Sequence, residues 1–258
     1  MGLGSMDFQF DSVFNLEGKV ALITGGAAGI GKSVAELFAD RGANLVLFDR
    51  NPAVLDVAES LGGSHLGLVG DVSIEKDVIA AVDQAVETFS RIDILINNAG
   101  IGPLAAAEDT SVDLWDQTMA VNLRGAFLFA RQVGKQMLSQ KSGRVVNLAS
   151  QAAIVGLDRH LAYCASKAGI LGMTNVLAME WGGRGITVNS ISPTVVDTAL
   201  GAGGSWSGEI GERFKQKVPV GRFAQPQEIA YAALYLVSGA AAMINGENIV
   251  VDGGYTAT

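Results

Sequence analysis

Short apolar runs alternate with longer segments of mixed polarity along almost the whole chain. Seven runs are apolar at nearly every position, which is typical of strands buried on both faces of a parallel sheet. They cover residues 20–24, 44–49, 65–71, 92–98, 144–150, 186–192 and 248–254. The segments between the first six runs are long enough for crossover helices, for example 30–41, 74–89 and 111–139. This alternation predicts an α/β Rossmann fold, with a doubly wound seven-stranded parallel sheet and helices on both faces.

No linker, repeat or low-complexity segment divides the chain, so one domain is expected over residues 16–258. Residues 1–15 form an N-terminal extension, and its first five residues resemble an expression-vector remnant. The extension lacks a basic segment followed by an apolar one, so no signal peptide is predicted. Cys164 is the only cysteine and cannot form an intrachain disulfide. Both observations favour a cytoplasmic protein.

Charge and hydropathy narrow the set of partners. The net charge is −8 and the sequence pI is about 4.8. This acidic balance is unlike the basic surface with which proteins bind nucleic acids or anionic membranes. The longest uncharged run, 229–246, is interrupted at Ser238 and Gly239, which favours a buried helix and a turn over a membrane span. The helical segment 115–138 and the one that carries Tyr163 are apolar around most of their circumference. We therefore expect their outer sides to contact another subunit of a homo-oligomer.

A glycine-rich turn, "TGGAAGIG" at residues 24–31, follows the first strand and opens the first helix. Such a turn lets the backbone approach a pyrophosphate held at the helix N-terminus. Asp49 ends the second strand 18 residues after Gly31, where a carboxylate binds the ribose and repels a 2′-phosphate. NAD is therefore predicted over NADP, although Arg50 could bind such a phosphate. The predicted cofactor-binding residues, of which Asp71 fits a loop cap equally well, are Gly25, Ala28, Gly29, Ile30, Gly31, Asp49, Arg50, Asp71, Val72, Asn98, Ala99 and Gly100.

Tyr163 and Lys167 stand four residues apart, on one face of the predicted helix and one turn from each other. A free tyrosine has a pKa of about 10, too high for a base at neutral pH, and a nearby ammonium lowers an acid's pKa by about 1–3 units. The spacing therefore predicts that Lys167 favours the tyrosinate. Ser150, at the end of the fifth strand, can hydrogen-bond the oxygen of a substrate that exchanges a proton with Tyr163.

Residues 24–31 and 97–100 together with Ser150, Tyr163 and Lys167 strongly resemble the short-chain dehydrogenase/reductase family, from about residue 16 to 255. The resemblance implies that Tyr163 is the catalytic acid/base, Lys167 its activator and a ribose ligand, Ser150 the substrate-oxygen anchor and Asn122 a proton-relay residue. It also implies a homotetramer. Most relatives carry Pro-Gly after the sixth strand, where this chain has Pro193 and Thr194. Tyr163 and Lys167 are expected to contact the cofactor as well, as are residues of that loop, namely Pro193, Val195, Val196 and Thr198.

The residues "PTVV" at 193–196, Gln151 beside Ser150, and His160 resemble the sugar-alcohol dehydrogenase and L-xylulose reductase branch. Ser150, Gln151, His160, Tyr163 and Trp206 are the predicted substrate-binding residues, with Trp206 in a lid at about 197–216. Polar groups beside the reacting carbon suit a hydroxyl-rich substrate. The implied activity is the reversible, NAD-dependent oxidation of a secondary alcohol of a small polyol to the ketose. No cluster of metal ligands is evident, so no metal is predicted.

Three alternatives stay open at this point. A 3-oxoacyl-thioester reductase has the same catalytic set but usually takes NADPH, which Asp49 disfavours. A hydroxysteroid dehydrogenase needs an apolar pocket, which residues 151–155 partly permit. A non-catalytic, dinucleotide-sensing interaction protein is expected to have lost a catalytic residue, whereas Asn122, Ser150, Tyr163 and Lys167 are all present.

Overall fold

Seven strands form one parallel sheet in the computed structural model, which describes residues 10–201 and 206–257. The strand order is β3-β2-β1-β4-β5-β6-β7, and the order reverses between β1 and β4. This doubly wound topology confirms the predicted fold class. The strands are β1 Val20–Thr24, β2 Asn44–Asp49, β3 Leu66–Val69, β4 Ile94–Asn97, β5 Gly143–Leu148, β6 Ile186–Pro193 and β7 Asn248–Val251.

Helices cover both faces of the sheet. In the described residues they are α1 Phe10–Val13, α2 Gly29–Asp40, α3 Ala53–Ser60, α4 Glu75–Phe89, α5 Val112–Met119, α6 Gly125–Gln140, α7 Leu161–Gly182, α8 Gly208–Lys215 and α9 Pro226–Val237. Alternate residues of β1 enter two separate cores, because successive side chains of a strand point to opposite faces. Ala21 and Ile23 pack with α2, α3 and α9. Val20 and Leu22 pack with α4, α6 and α7.

The single helix expected over residues 111–139 is interrupted. Helix α5 ends at Met119, a π-helical turn spans Ala120–Arg124, and α6 then begins at Gly125. Single π turns inside α-helices often occur at functional sites, since they rotate one side chain out of the regular helical register. The buried residue of this turn is Asn122, whose side chain the turn directs into the interior.

Two predicted segments fall partly outside the described residues. The N-terminal extension was expected at 1–15, and residues 1–9 are not described. The lid was expected at about 197–216, and residues 202–205 are not described, whereas Trp206 and α8 are. None of the helices in the described ranges is both long and apolar enough to cross a membrane.

Candidate active site

The glycine turn between β1 and α2 depends on the absence of side chains. Gly25 and Gly29 have φ angles of 70° and 55°, in the left-handed region that favours glycine. A Cβ on Gly31 would lie 2.1 Å from the carbonyl oxygen of Gly25, so only glycine fits there. Ala28 is the residue before α2, and its side chain forms no capping hydrogen bond with the helix. The first N–H groups of α2 are therefore available to an anion.

A cavity of about 300 Å³ opens at this turn, along the carboxyl ends of β1, β2, β3 and β4. This is the crevice at which doubly wound sheets bind dinucleotides, because the strand order reverses there. The glycine turn, its uncapped helix N-terminus and the carboxylate at the end of β2 all fit a dinucleotide. Twelve of the predicted cofactor residues line the cavity: Gly25, Ala28, Gly29, Ile30, Asp49, Arg50, Asp71, Val72, Asn98, Ala99, Gly100 and Thr198.

Main-chain donors orient the carboxylate of Asp49. The N–H of Ala27 donates to one oxygen at 3.0 Å, and the N–H of Asn51 donates to the other at 2.9 Å. Asp71 has the loop-capping role that was the open alternative, since it accepts from both the N–H and the hydroxyl of Ser73 at 2.7 Å. Its side chain nevertheless borders the cavity.

Asn98 joins the ends of β1 and β4. Its amide donates to the carbonyl oxygens of Thr24 at 2.9 Å and Gly25 at 3.1 Å. The Thr24 hydroxyl in turn accepts from the N–H groups of Asn98 at 3.0 Å and Ala99 at 3.1 Å. These hydrogen bonds pair the side chains of Asn98 and Thr24 within the protein. The role of Thr24 in joining the two strand ends was not predicted from the sequence.

Tyr163 and Lys167 lie on one face of α7, as their spacing predicted. Lys167 is 4% exposed, its Nζ donates to the carbonyl oxygen of Leu148 at 2.6 Å, and it lies 5.7 Å from the centroid of the Tyr163 ring. Burial lowers the pKa of Lys167 to about 8. A Cβ on Gly100 would lie 3.7 Å from this Nζ, so Lys167 reaches the rim of the large cavity.

Burial and the hydrogen bond with Ser150 act on the pKa of Tyr163 in opposite directions. Burial raises the pKa of the Tyr163 phenol, and this outweighs the side-chain hydrogen bond with Ser150, which lowers it. The effect predicted for Lys167, which is to favour the tyrosinate, is a separate contribution to this pKa and stays a prediction. Ser150 is the partner that stabilises the ionised phenol.

Asn122 is 2% exposed and is held by the loop after β4 and by α7. Its Oδ1 accepts from the N–H of Ile101 at 2.8 Å, and its Nδ2 donates to the Ile101 carbonyl at 2.9 Å and to the Ser166 hydroxyl at 3.1 Å. The carboxamide is thus fully engaged beside the helix that carries Tyr163 and Lys167. Ser166, which the sequence analysis missed, orients it.

A second cavity, of about 120 Å³, adjoins the first, and Thr198 and Leu200 line both. All five predicted substrate residues line it, namely Ser150, Gln151, His160, Tyr163 and Trp206. Its remaining lining residues are Gly102, Leu157, Thr194, Val195, Val196, Thr198, Leu200 and Gly201. The structure therefore brings together residues from the end of β5, the start of α7 and the segment after β6.

His160 precedes α7 and is held on three sides. Its Nδ1 lies 2.6 Å from the carbonyl oxygen of Asp158, which accepts the Nδ1 hydrogen. Because the other ring nitrogen then carries no hydrogen in the neutral form, it is a hydrogen-bond acceptor. The ring stacks on Trp206 at 5.8 Å and meets Tyr163 edge-on at 6.0 Å between centroids.

Six of the predicted cofactor residues do not line the large cavity, namely Gly31, Tyr163, Lys167, Pro193, Val195 and Val196. Among the described residues, Gly31 and Pro193 line neither cavity, since Gly31 packs under Gly25 and Pro193 ends β6. Val195 and Val196 line the small cavity instead of the large one. Thr194, noted from the sequence only as a departure from the family pattern, also lines the small cavity.

Comparison with known proteins places this geometry in a family. A family model described as enoyl-(acyl carrier protein) reductase matches residues 25–256. The chain is 51% identical over 256 residues to D-threitol dehydrogenase of Mycolicibacterium smegmatis, which covers 98% of each chain. The chain belongs to the short-chain dehydrogenase/reductase family. This membership confirms the resemblance stated from the sequence motifs.

Two further relatives have informative names. The chain is 48% identical over 248 residues to NAD-dependent glycerol dehydrogenase of Listeria innocua, covering 96% of this chain and 97% of that one. The structure of 3-ketoacyl-(acyl-carrier-protein) reductase from Brucella melitensis, complexed with NADH, superimposes with a TM-score of 0.88 at 34% identity, covering 94% of this chain and all of that one. The family thus includes both polyol and thioester enzymes.

Proposed function

We propose that this short-chain dehydrogenase oxidises a secondary alcohol of a short linear polyol to the ketose, reversibly and with NAD. The observation that carries the proposal is the small cavity, in which Gln151 and His160 share one space with Ser150 and Tyr163. Polar side chains there suit a substrate with hydroxyls on either side of the reacting carbon. The names of the threitol and glycerol relatives support the same substrate class.

The size of the small cavity argues against larger substrates. Sites for drug-sized ligands typically occupy about 300–1,000 Å³, whereas this cavity has about 120 Å³. A steroid or a long acyl thioester would leave Gln151 and His160 without hydrogen-bond partners, which is costly for buried polar groups. Tetritols and pentitols are therefore the substrates we favour.

The roles proposed for the protein's own groups follow from their positions. Oxidised NAD, when bound, supplies the acceptor for the carbinol hydride and a positive charge near the phenol. Tyr163 takes the hydroxyl proton of the alcohol and returns it in the reverse direction, while Ser150 donates a hydrogen bond to the reacting oxygen. Lys167 binds the ribose next to Gly100, and Asn122 holds the loop after β4 and links the phenol to the proton relay.

We propose NAD as the cofactor because of Asp49. Its carboxylate is fixed at the rim of the large cavity by two main-chain donors, where it accepts from ribose hydroxyls and repels a 2′-phosphate. Arg50 lines the same cavity and is the residue that would admit NADP.

We also propose a cytoplasmic homotetramer. Helices α5, α6 and α7 present exposed apolar side chains, including Val112, Phe127, Val176 and Met179. Large apolar side chains exposed on these helices suit subunit contacts. Size-exclusion chromatography with light scattering measures the oligomeric state, and a monomer would contradict the proposal.

The activity is tested by following NADH formation with purified protein across tetritols, pentitols and hexitols, with NADP in parallel reactions. We expect turnover of a tetritol or pentitol with NAD and at most weak turnover with NADP. Tyr163→Phe is the control, since it keeps the ring and removes the acid/base group. Activity on thioesters or steroids but on no polyol would contradict the proposal.

A further inference from the structure

Two buried polar atoms of the small cavity have no hydrogen-bond partner among the described residues. One is Oε1 of Gln151, which is 1% exposed, and the other is Oγ1 of Thr194, which is 8% exposed. An unpartnered buried polar group is destabilising, and buried polar side chains are usually paired. Both residues line the cavity that contains Ser150 and Tyr163.

The position of Thr194 is set by the main chain. Its N–H continues the β6–β7 ladder by donating to the carbonyl oxygen of Val251 at 3.1 Å. The residue directly follows Pro193, the last residue of β6. Because strand pairing fixes the backbone here, the hydroxyl stays buried at the wall of the cavity without a partner.

The two atoms differ in what they can bind. An amide oxygen only accepts hydrogen bonds, whereas a threonine hydroxyl both donates and accepts. A hydroxyl group is the substrate chemistry that satisfies both, since it donates to Gln151 and exchanges either kind of bond with Thr194. The apolar lining residues of the small cavity, among them Leu157, Val195 and Leu200, offer such a hydroxyl no side-chain partner.

We propose that Thr194 is a specificity-determining residue, which together with Gln151 binds a terminal hydroxyl of the substrate. The proposal rests on the proposed polyol oxidation and adds which residue recognises the hydroxyl chain. A substrate that lacks this hydroxyl leaves both atoms unpaired, so the enzyme discriminates against deoxy analogues. The recognition is separate from Ser150 and Tyr163, which bind the reacting oxygen.

The test compares two substrates on one variant. Threitol and butane-2,3-diol share a secondary alcohol with a neighbouring hydroxyl, but the diol lacks the terminal hydroxyls. Thr194→Val keeps the shape of the side chain and removes its hydroxyl. We expect kcat/KM for threitol relative to the diol to fall about tenfold, chiefly through threitol. An unchanged ratio, including one in which both substrates lose kcat/KM equally, would overturn the proposal.

Thr187→Val is the matched control. Thr187 lies on β6, the strand that Thr194 directly follows, its hydroxyl is also buried and unpartnered among the described residues, and it does not line the cavity. Both variants lose an unpaired hydroxyl, so each should raise Tm by about 2–4 °C. Only T194V should change the substrate ratio. A T187V enzyme with the same loss of discrimination would overturn the proposal, since the effect would then belong to β6.

A second pair guards against misfolding of T194V. Thr194→Ser and Thr194→Ala differ by one oxygen atom, and T194S should retain most of the discrimination that T194A loses. Equal discrimination by the two would contradict the proposal. Wild-type protein that oxidises no polyol would refute the proposed function and this inference together. Wild-type activity on threitol with no effect of the Thr194 hydroxyl refutes the inference alone.

Discussion

The two cavities of this dehydrogenase differ in the residues that line them and in whether the polar atoms of those residues are paired. The large cavity is lined by four glycines and by other residues at the ends of strands, and its polar side chains Asp49, Asp71 and Asn98 form hydrogen bonds within the protein. The small cavity is formed by side chains from three distant segments, and two of its polar atoms are unpaired among the described residues. A cofactor shared by a whole family can be held by backbone shape, whereas the substrate requires side-chain atoms left available for it.

The largest expected effect concerns the phenol between the two cavities. Tyr163→Phe removes the acid/base group and should lower kcat by at least about a thousandfold, within the range of general acid–base catalysis combined with the lost hydrogen bond. NADH affinity should stay close to wild type. Stopped-flow turnover and a fluorescence titration with NADH measure the two quantities. Full turnover by this variant would refute the proposed role.

A second large effect tests the backbone-built cavity. Gly31→Ala places a Cβ about 2.1 Å from the Gly25 carbonyl oxygen, which cannot move without opening the turn. We expect NADH affinity to fall at least about a hundredfold, measured by calorimetry. Gly172→Ala on α7 is the control, because nothing lies within 4 Å of its Cβ. That variant should gain about 1 kcal/mol of stability and bind NADH normally.

The pH dependence of stability tests the burial of Lys167. Its pKa is lowered from 10.5 to about 8 in the folded protein, so between these values the unfolded chain binds more protons than the folded one. The free energy of unfolding should therefore rise with pH from about 8 to 10, by up to about 3 kcal/mol. Above pH 10 the raised pKa of Tyr163 acts in the opposite direction, since the unfolded phenol ionises first.

Urea denaturation at a series of pH values measures this slope, with Lys167→Met as the comparison. The methionine variant should lack the rise between pH 8 and 10 and keep the decline above pH 10. A wild-type curve as flat as that of the variant would mean that Lys167 is solvated in the folded protein.

The smallest expected effect concerns cofactor choice. Asp49→Asn removes the charge that repels a 2′-phosphate, while its amide oxygen can still accept one main-chain hydrogen bond. The ratio of kcat/KM for NAD to that for NADP should fall about tenfold to a hundredfold, which corresponds to about 1.4–2.7 kcal/mol. Arg50→Ala should shift the ratio in the opposite direction. A ratio unaffected by both changes would contradict the proposed basis of NAD selection.

The sequence predicted most of the residues that line both cavities, but it did not predict which polar atoms of the small cavity are unpaired among the described residues. Apolar runs predict buried strands directly, and the separation of Gly25, Gly29 and Gly31 is a local pattern that the structure repeats as a local turn. The pairing of those atoms depends on long-range burial. No pattern around Thr194 reveals that its hydroxyl is unpaired, because that depends on how β6 meets the segment after β5.

Two other features were beyond sequence reasoning for the same physical reason. The π turn at 120–124 places Asn122 against Ile101 and Ser166, which are 21 and 44 residues away along the chain. The raised pKa of Tyr163 results from desolvation by residues of several elements, whereas the spacing to Lys167 reports only one neighbour. The catalytic and binding roles of the site residues stay predictions until the variants above are measured.

Thr198 and Leu200 form a wall common to both cavities, and Thr198 also packs within 3.5 Å of the Cβ position of Gly29 in the nucleotide turn. Through this shared wall, a ligand in one cavity can change the affinity of the other cavity for its own ligand. If a bound dinucleotide orders this wall, the affinity of the protein for the polyol rises by some factor. The affinity for the dinucleotide must then rise by the same factor when the polyol binds first.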